Sequence, residues 1–223
     1  MTDSESRTRR SYDAVAERYA AEIGDELAGK PIDRALLDCL VELCSGQEKP
    51  IADVGCGPGH LTAYLAGRGA DVIGVDLSDK MIEVARRRNP TLRFQIGSMT
   101  ALPVSDAAWA GAVCAYSIIH VPVDRRPTAY AELARAIVSG GWLLISFHVS
   151  DPDRRTGETA HFAEWWGFHV DLDFHYLDPD EVANGLADAG FEVRARMLRE
   201  PTSNIEHPSR RAYLLARRTD ALR

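Results

Sequence analysis

Three alternating glycines, Gly55, Gly57 and Gly59, follow an apolar run and open a helical one in IADVGCGPGH, residues 51 to 60. Residues without a Cβ let the backbone turn tightly and come within contact of a ligand. A turn of this kind also serves nicotinamide and flavin enzymes, whose pattern is G-x-G-x-x-G. Here the third glycine comes one residue early, and Asp53 stands two residues before the first. A carboxylate at that strand tip repels a pyrophosphate and attracts an ammonium through a charge-assisted hydrogen bond. Asp76 ends the next apolar run, VIGVD, at a spacing where a carboxylate takes both hydroxyls of a ribose; the plainer alternative is a solvated turn. A third run ends at Ile96-Gly97-Ser98-Met99, placing Ser98 to hydrogen-bond an adenine edge and Met99 to pack on its face. After the fourth run comes AYSIIHVP, so Tyr116, Ser117 and His120 lie on the rim where open α/β sheets bind ligands.

Each remaining candidate carries a chemical and a plain reading. His120 is either a general base, since an imidazole titrates near neutrality, or a residue that holds the rim together. In HVDLDFH, residues 169 to 175, an extended chain puts His169, Asp171, Asp173 and His175 on one face. That is a conceivable metal set, but a polar face opposite Val170, Leu172 and Phe174 explains the same alternation, and no metal is expected. His60 reads as a surface or cap residue at a helix start. The aromatic group Phe162, Trp165, Trp166, Phe168, Phe174 and Tyr176 is either core or pocket wall. Adjacent tryptophans on a regular strand or helix cannot face one way, so at least one of the pair is expected to line a pocket. The cysteines at 39, 44, 56 and 114 form no C-x-x-C pair and read as reduced thiols beside apolar runs.

The elements that must hold these residues follow from the pattern. About ten polar residues, expected to fray, precede a short helix over 12 to 21 with Tyr12, Val15, Ala16 and Tyr19 on one face. A second helix follows Pro31 and ends near Gly46. From Ile51 apolar runs alternate with helices at 61 to 68, 80 to 88 and 126 to 138, which implies a parallel sheet covered on both faces. A helix at 178 to 190 and strands FEVRARML and RRAYLLA close the chain. Residues 150 to 176 break the rhythm and are too aromatic for a linker, hence a lid or pocket insertion.

The 223 residues, 45% hydrophobic, suit one domain. A net charge of -7, from 33 acidic and 26 basic side chains, argues against a nucleic-acid partner. No run is long and apolar enough for a membrane span or a leader, so a cytoplasmic protein, monomer or homodimer, is expected.

Taken together, DVGCGPG, GVDLSDKMIEVAR, GSMTALP, AYSIIHVP and Ser139-Gly140-Gly141 before WLLISF resemble the successive motifs of class I S-adenosylmethionine-dependent methyltransferases. The leading YDAVAERYA is similar to the N-terminal helix that covers the cofactor in small-molecule members. The resemblance spans residues 12 to about 148 and implies a Rossmann-like, seven-stranded, mostly parallel sheet with an antiparallel last strand. It implies S-adenosylmethionine as cofactor, with Asp53, Gly55, Cys56, Gly57 and Gly59 at its methionine part and Asp76 at its ribose. Leu77, Met81, Tyr19 and Ala115 are expected beside it, and Ser98 and Met99 at the adenine. The family often has Asp where Ser98 stands, which predicts a weaker adenine contact. No Asn-Pro-Pro-Tyr tetrapeptide follows the fourth strand, so DNA and glutamine N-methylation gain no support. The expected acceptor is a small aromatic or heteroaromatic molecule, indole- or phenol-like, held by Tyr12, Tyr116, Trp165, Trp166 and Phe168, with His120 as base and Tyr116 beside the reacting atoms. This pocket resembles those of indole C-methyltransferases. The alternatives are an O- or N-methyltransferase for a non-aromatic metabolite, a nicotinamide-dependent oxidoreductase, and a silent cofactor-binding protein.

Overall fold

Ile51–Val54 is buried at all four positions, which requires helices on both faces of the strand it forms. The computed structural model describes residues 1–202 and 205–219. In it, β1 (Ile51–Val54), β2 (Val72–Asp76), β3 (Arg93–Ile96), β4 (Trp109–Ala115) and β5 (Ile137–Ser150) are parallel. After a hairpin over residues 159–175 come β8 (Phe191–Arg199) and β9 (Arg210–Arg218), and β9 runs antiparallel to both β5 and β8. The order β3-β2-β1-β4-β5-β9-β8 is the mostly parallel sheet with a reversed last strand that the resemblance implies. The chain winds outward from β1 to β3 and then returns to β4 on the other side of β1. The carboxyl ends of β1 and β4 therefore flank a topological switch point, where a crevice opens.

One face of the sheet is covered by α5 (Arg126–Ala136) and α6 (Pro179–Asp188), over a core that includes Trp109, Leu133, Leu143, Phe147 and Leu186. On the other, α2 (Pro31–Leu43) and α3 (His60–Gly67) bury Leu37, Leu40 and Leu65 against Val72 and Leu144. Helix α4 (Asp79–Arg88) follows β2 and begins at Ser78, whose side chain accepts the Met81 N–H.

The N-terminus departs from expectation. Helix α1 runs over Asp3–Ile23, with no frayed decapeptide before it. Thr2 Oγ1 accepts the Glu5 N–H and the Glu5 carboxylate accepts the Thr2 N–H, a capping box that satisfies two donors otherwise left open at a helix start. The polar side chains then fasten the helix sideways: Arg7 pairs with Asp171 and Asp173, Arg9 with Asp79, and Asp13 Oδ1 accepts the Ser78 hydroxyl at 2.6 Å.

Residues 150 to 176 contain an antiparallel hairpin, β6 (Thr159–Trp165) and β7 (Phe168–His175), packed on α1. Its turn is Trp166-Gly167, at φ +53° and +84°, the left-handed region that two-residue hairpin turns use. Because Trp166 sits in the turn and not on a strand, both indoles face one way and stack at 4.4 Å. The premise that one tryptophan must point to a pocket therefore does not hold. The polar face of β7 meets α1: Arg7 takes Asp171 and Asp173, and His161 of β6 lies 2.9 Å from Asp173.

Two boundaries also shift. Helix α5 ends at Ala136, earlier than the expected 138. Trp109 pairs with Ile137 but Gly111 with Trp142, so the Ser139-Gly140-Gly141 segment bulges within β5.

Candidate active site

The glycine turn after β1 divides its labour. A Cβ on Gly55 would lie 2.2 Å from the Ser117 Cβ, and one on Gly59 would meet the Phe94 ring at 2.9 Å. Both positions are glycine because neighbouring side chains occupy that space. At Gly57 the nearest atom is a Tyr19 ring carbon at 3.6 Å, so this backbone stays open to a ligand. The Gly57 N–H points at the end of β2 and donates to Asp76 at 2.8 Å, and the Ser78 N–H donates to the other carboxylate oxygen at 2.8 Å. Burial pushes the Asp76 carboxyl up to about 6 despite these donors. Asp53, also buried, accepts the Thr62 hydroxyl at 2.6 Å, and burial raises it too.

Two cavities open at the carboxyl edge of the sheet, an outer one of about 880 Å³ and an inner one of about 640 Å³. Tyr19, Gly55, Gly57, Ala115 and Tyr116 line both. The outer cavity runs along α1, taking Thr2, Glu5, Thr8 and Tyr12 from that helix, and is floored by Asp76, Leu77, Ser98 and Met99. His120 also lines it. The inner cavity lies between the glycine turn and α2, with Asp53, Cys56, Glu26, His60, Asp33, Ser146 and Tyr213 in its wall. Among the predicted residues, Gly59 and Met81 line neither. Met81 is buried in the seam between α4 and α1 with Ala16 and Ala20. Trp165, Trp166 and Phe168 line neither as well. The indoles pack against Tyr19 at 5.6 and 6.0 Å between centroids, and Phe168 is 41% exposed. Tyr12 and Tyr19 thus stand between the cavities and the hairpin.

His120 ends a short 3-10 turn, Ile118–His120, after β4. Its Nδ1 lies 2.9 Å from the Asp173 carbonyl oxygen, which can only accept, so Nδ1 carries the proton and Nε2 is an acceptor. The Tyr12 hydroxyl, 2.7 Å from Nε2, donates to it. Burial pushes the imidazole down to about 4, so it is neutral at physiological pH. Tyr116 sits at φ +53°, a strained setting for a residue with a Cβ. Its hydroxyl lies 2.7 Å from that of Tyr213, which in turn donates to Asp33 at 2.9 Å. Tyr116 therefore donates to Tyr213 and keeps its oxygen lone pairs. Its ring lies against His148 at 5.0 Å.

Several wall residues escape a reading by motif. His60 is no surface residue: its Nε2 faces Glu26 at 3.1 Å, and its buried Nδ1 has no hydrogen-bond partner. Asp33 and Tyr213 meet across 180 residues, a separation no local pattern records. Glu5 carried a signal, since Thr2-x-x-Glu5 is the capping-box spacing.

Residues 51–141 match the family described as "Methyltransferase domain". The chain is 37% identical over 169 residues to O-methyltransferase cnsE of Penicillium expansum, covering 72% of this chain and 58% of that protein. It is 32% identical over 177 residues to a ubiquinone biosynthesis O-methyltransferase of Bordetella avium, covering 70% and 68%. The chain spans roughly half to three-fifths of the first curated relatives it matches, from 49% to 61%. The fold is similar to that of magnesium protoporphyrin IX methyltransferase from Synechocystis with bound S-adenosylmethionine, at TM-score 0.68 and 19% identity over 98% of this chain and 99% of that one. It is equally similar to the [4+2]-cyclase SpnF, at TM-score 0.70 and 18% identity over 99% and 98%.

Proposed function

This chain belongs to the class I S-adenosylmethionine-dependent methyltransferases, and from that premise we propose that it methylates a hydroxyl of a small aromatic, phenol-like acceptor. The residues present fit the cofactor. Gly57 leaves backbone open to it, Asp76 retains lone pairs for ribose hydroxyls, and Leu77 and Met99 offer apolar contact to adenine. The unpaired His60 Nδ1, with the carboxylates of Glu26 and Asp53 in the same wall, suits an ammonium. When bound, S-adenosylmethionine supplies a methyl group already activated by its sulfonium. What the chain must add is alignment of the nucleophile, which can supply several kcal/mol, and a place for its proton.

The observation that carries the reading is the chain from Tyr12 to His120 to the Asp173 carbonyl on the wall of the outer cavity. The Tyr12 oxygen accepts the proton of the acceptor hydroxyl as Tyr12 passes its own to His120 Nε2. The Asp173 carbonyl holds the resulting imidazolium through Nδ1. The rings of Tyr12, Tyr19, Tyr116 and His120 support a flat acceptor, and the O-methyltransferase names of two relatives support oxygen as the acceptor atom. The polar inner wall of Asp33, Ser146 and Tyr213 favours a second reading, a non-aromatic acceptor that carries its own hydrogen-bond donors. A panel of phenols, indoles, aliphatic acids and amines, offered with labelled S-adenosylmethionine, separates them. Label in the phenols supports the first reading, and label confined to aliphatic acids or amines replaces it with the second.

A further inference from the structure

Glu5 brings a carboxylate from the first turn of α1 to the loop after β3. One oxygen, Oε1, accepts from both the Ser98 and Thr100 hydroxyls, and Oε2 accepts the Thr2 backbone N–H at 2.6 Å. Two donors fill the first oxygen, whereas the second keeps a lone pair. Side-chain and backbone donors together hold the carboxyl at about 2, against the opposing effect of burial, so an ionised acceptor lines the outer cavity at any pH where the protein works. The Ser98 hydroxyl has no hydrogen to spare: it donates to Glu5 while accepting the Thr100 N–H at 3.1 Å. Ser98 thus orients Glu5, and its short side chain leaves room for a carboxylate arriving from another element. Beside this group, Leu77 and Met99 line the same cavity. A flat heterocycle packed on them meets one strong unfilled acceptor, and that acceptor selects an N–H donor.

Resting on the cofactor reading above, we infer that Glu5 is the residue that recognises the 6-amino group of the cofactor's adenine and rejects a 6-oxo purine. A carbonyl in place of the amine sets two acceptors against each other and leaves a desolvated carboxylate unpaired. The same contact makes the nucleobase a fastening for the N-terminal helix, because Glu5 is also the second half of its capping box.

The test is calorimetric binding of S-adenosylhomocysteine and S-inosylhomocysteine, which requires no acceptor and no turnover. The unaltered protein should bind the adenosyl compound about 10²-fold more tightly. Glu5→Gln removes the charge; with its amide oxygen held by the Ser98 and Thr100 hydroxyls, its amide nitrogen replaces Oε2, gives up the Thr2 N–H and can donate to a 6-oxo group. In that variant the adenosyl compound should weaken by about tenfold or more, the inosyl compound should gain, and the ratio should fall to near one. Thr2→Ala removes the other half of the cap, and should lower the melting temperature while the ratio survives. The inference is overturned by a ratio near one in the unaltered protein, by a full ratio in Glu5→Gln, or by an equal collapse in Thr2→Ala. If neither nucleoside binds the unaltered protein, the cofactor reading itself fails and takes this inference with it.

Discussion

His120 and Tyr12 act as one unit on the proposed route of the proton, so their variants should behave alike. His120→Ala and Tyr12→Phe should each lower kcat by about 10²-fold, with affinity for S-adenosylhomocysteine kept. Steady-state rates beside a binding titration check this, and normal turnover in either variant removes the relay. Asp76 makes a separate prediction. Burial raises its carboxyl to about 6, and ribose hydroxyls donate most strongly to its charged form. Affinity for S-adenosylhomocysteine should therefore weaken as pH falls through 6, by up to about tenfold per unit, and Asp76→Asn should abolish that slope while weakening binding at pH 7.5. The candidate-site residues legible in the sequence, Asp53, Gly57, Asp76 and Met99, stand at or just past the end of a short apolar strand. Glu5, Asp33 and Tyr213 were not legible as site residues, because each reaches its cavity from an element remote in sequence.

At the scale of elements, α1 is held both by its apolar face, Val15, Ala16 and Ala20, and by where its polar groups go. Asp13 Oδ1 accepts both the Ser78 hydroxyl and the Lys80 N–H, at 2.6 and 3.1 Å, and so ties α1 to the first turn of α4. Removing it leaves those donors without their partner, and Asp13→Ala should destabilise by about 1–2 kcal/mol, a few degrees in melting temperature. Asp3→Ala, which breaks only a 3.6 Å contact to Arg7 from a side chain 90% exposed, should change stability by less than about 0.5 kcal/mol. Thermal melts of the two variants test the contrast, and equal shifts would mean that the Asp13 contacts add nothing. The alternation of strands and helices from residue 51 onward was readable because each element satisfies its own period. The start of α1 and the Trp166-Gly167 turn were not. The first is polar on the side that pairs with β7 and α4, and the second puts a bulky residue where hairpins usually place Asn or Gly.

For the whole molecule, acid should act through buried imidazoles before carboxylates. Burial lowers His120 to about 4 and His148 to about 3, against roughly 6.5 for a free imidazole. Below 6.5 the unfolded chain binds protons that the folded one refuses, so stability falls as pH drops toward 4. Each histidine removes about 2 kcal/mol by pH 5. Asp76, raised to about 6, and Asp53, also raised by burial, work the other way, since their folded forms take up a proton first, and offset part of that loss. His120→Gln should therefore narrow the gap between melting temperatures at pH 7 and pH 5, and an unchanged gap would show that His120 does not carry the effect. Helix α1 has a kinetic consequence as well. Thr2, Glu5, Thr8, Tyr12 and Tyr19 form one wall of the outer cavity, while Arg7, Arg9 and Glu17 bridge outward to Asp171, Asp79 and Arg87. If S-adenosylhomocysteine leaves past that wall, it parts these bridges, which dissolved salt weakens over a Debye length of about 8 Å at physiological strength. Residence time, read by stopped flow, should shorten as sodium chloride is raised: the helix sets the tempo of exchange, and ionic strength sets the tempo of the helix.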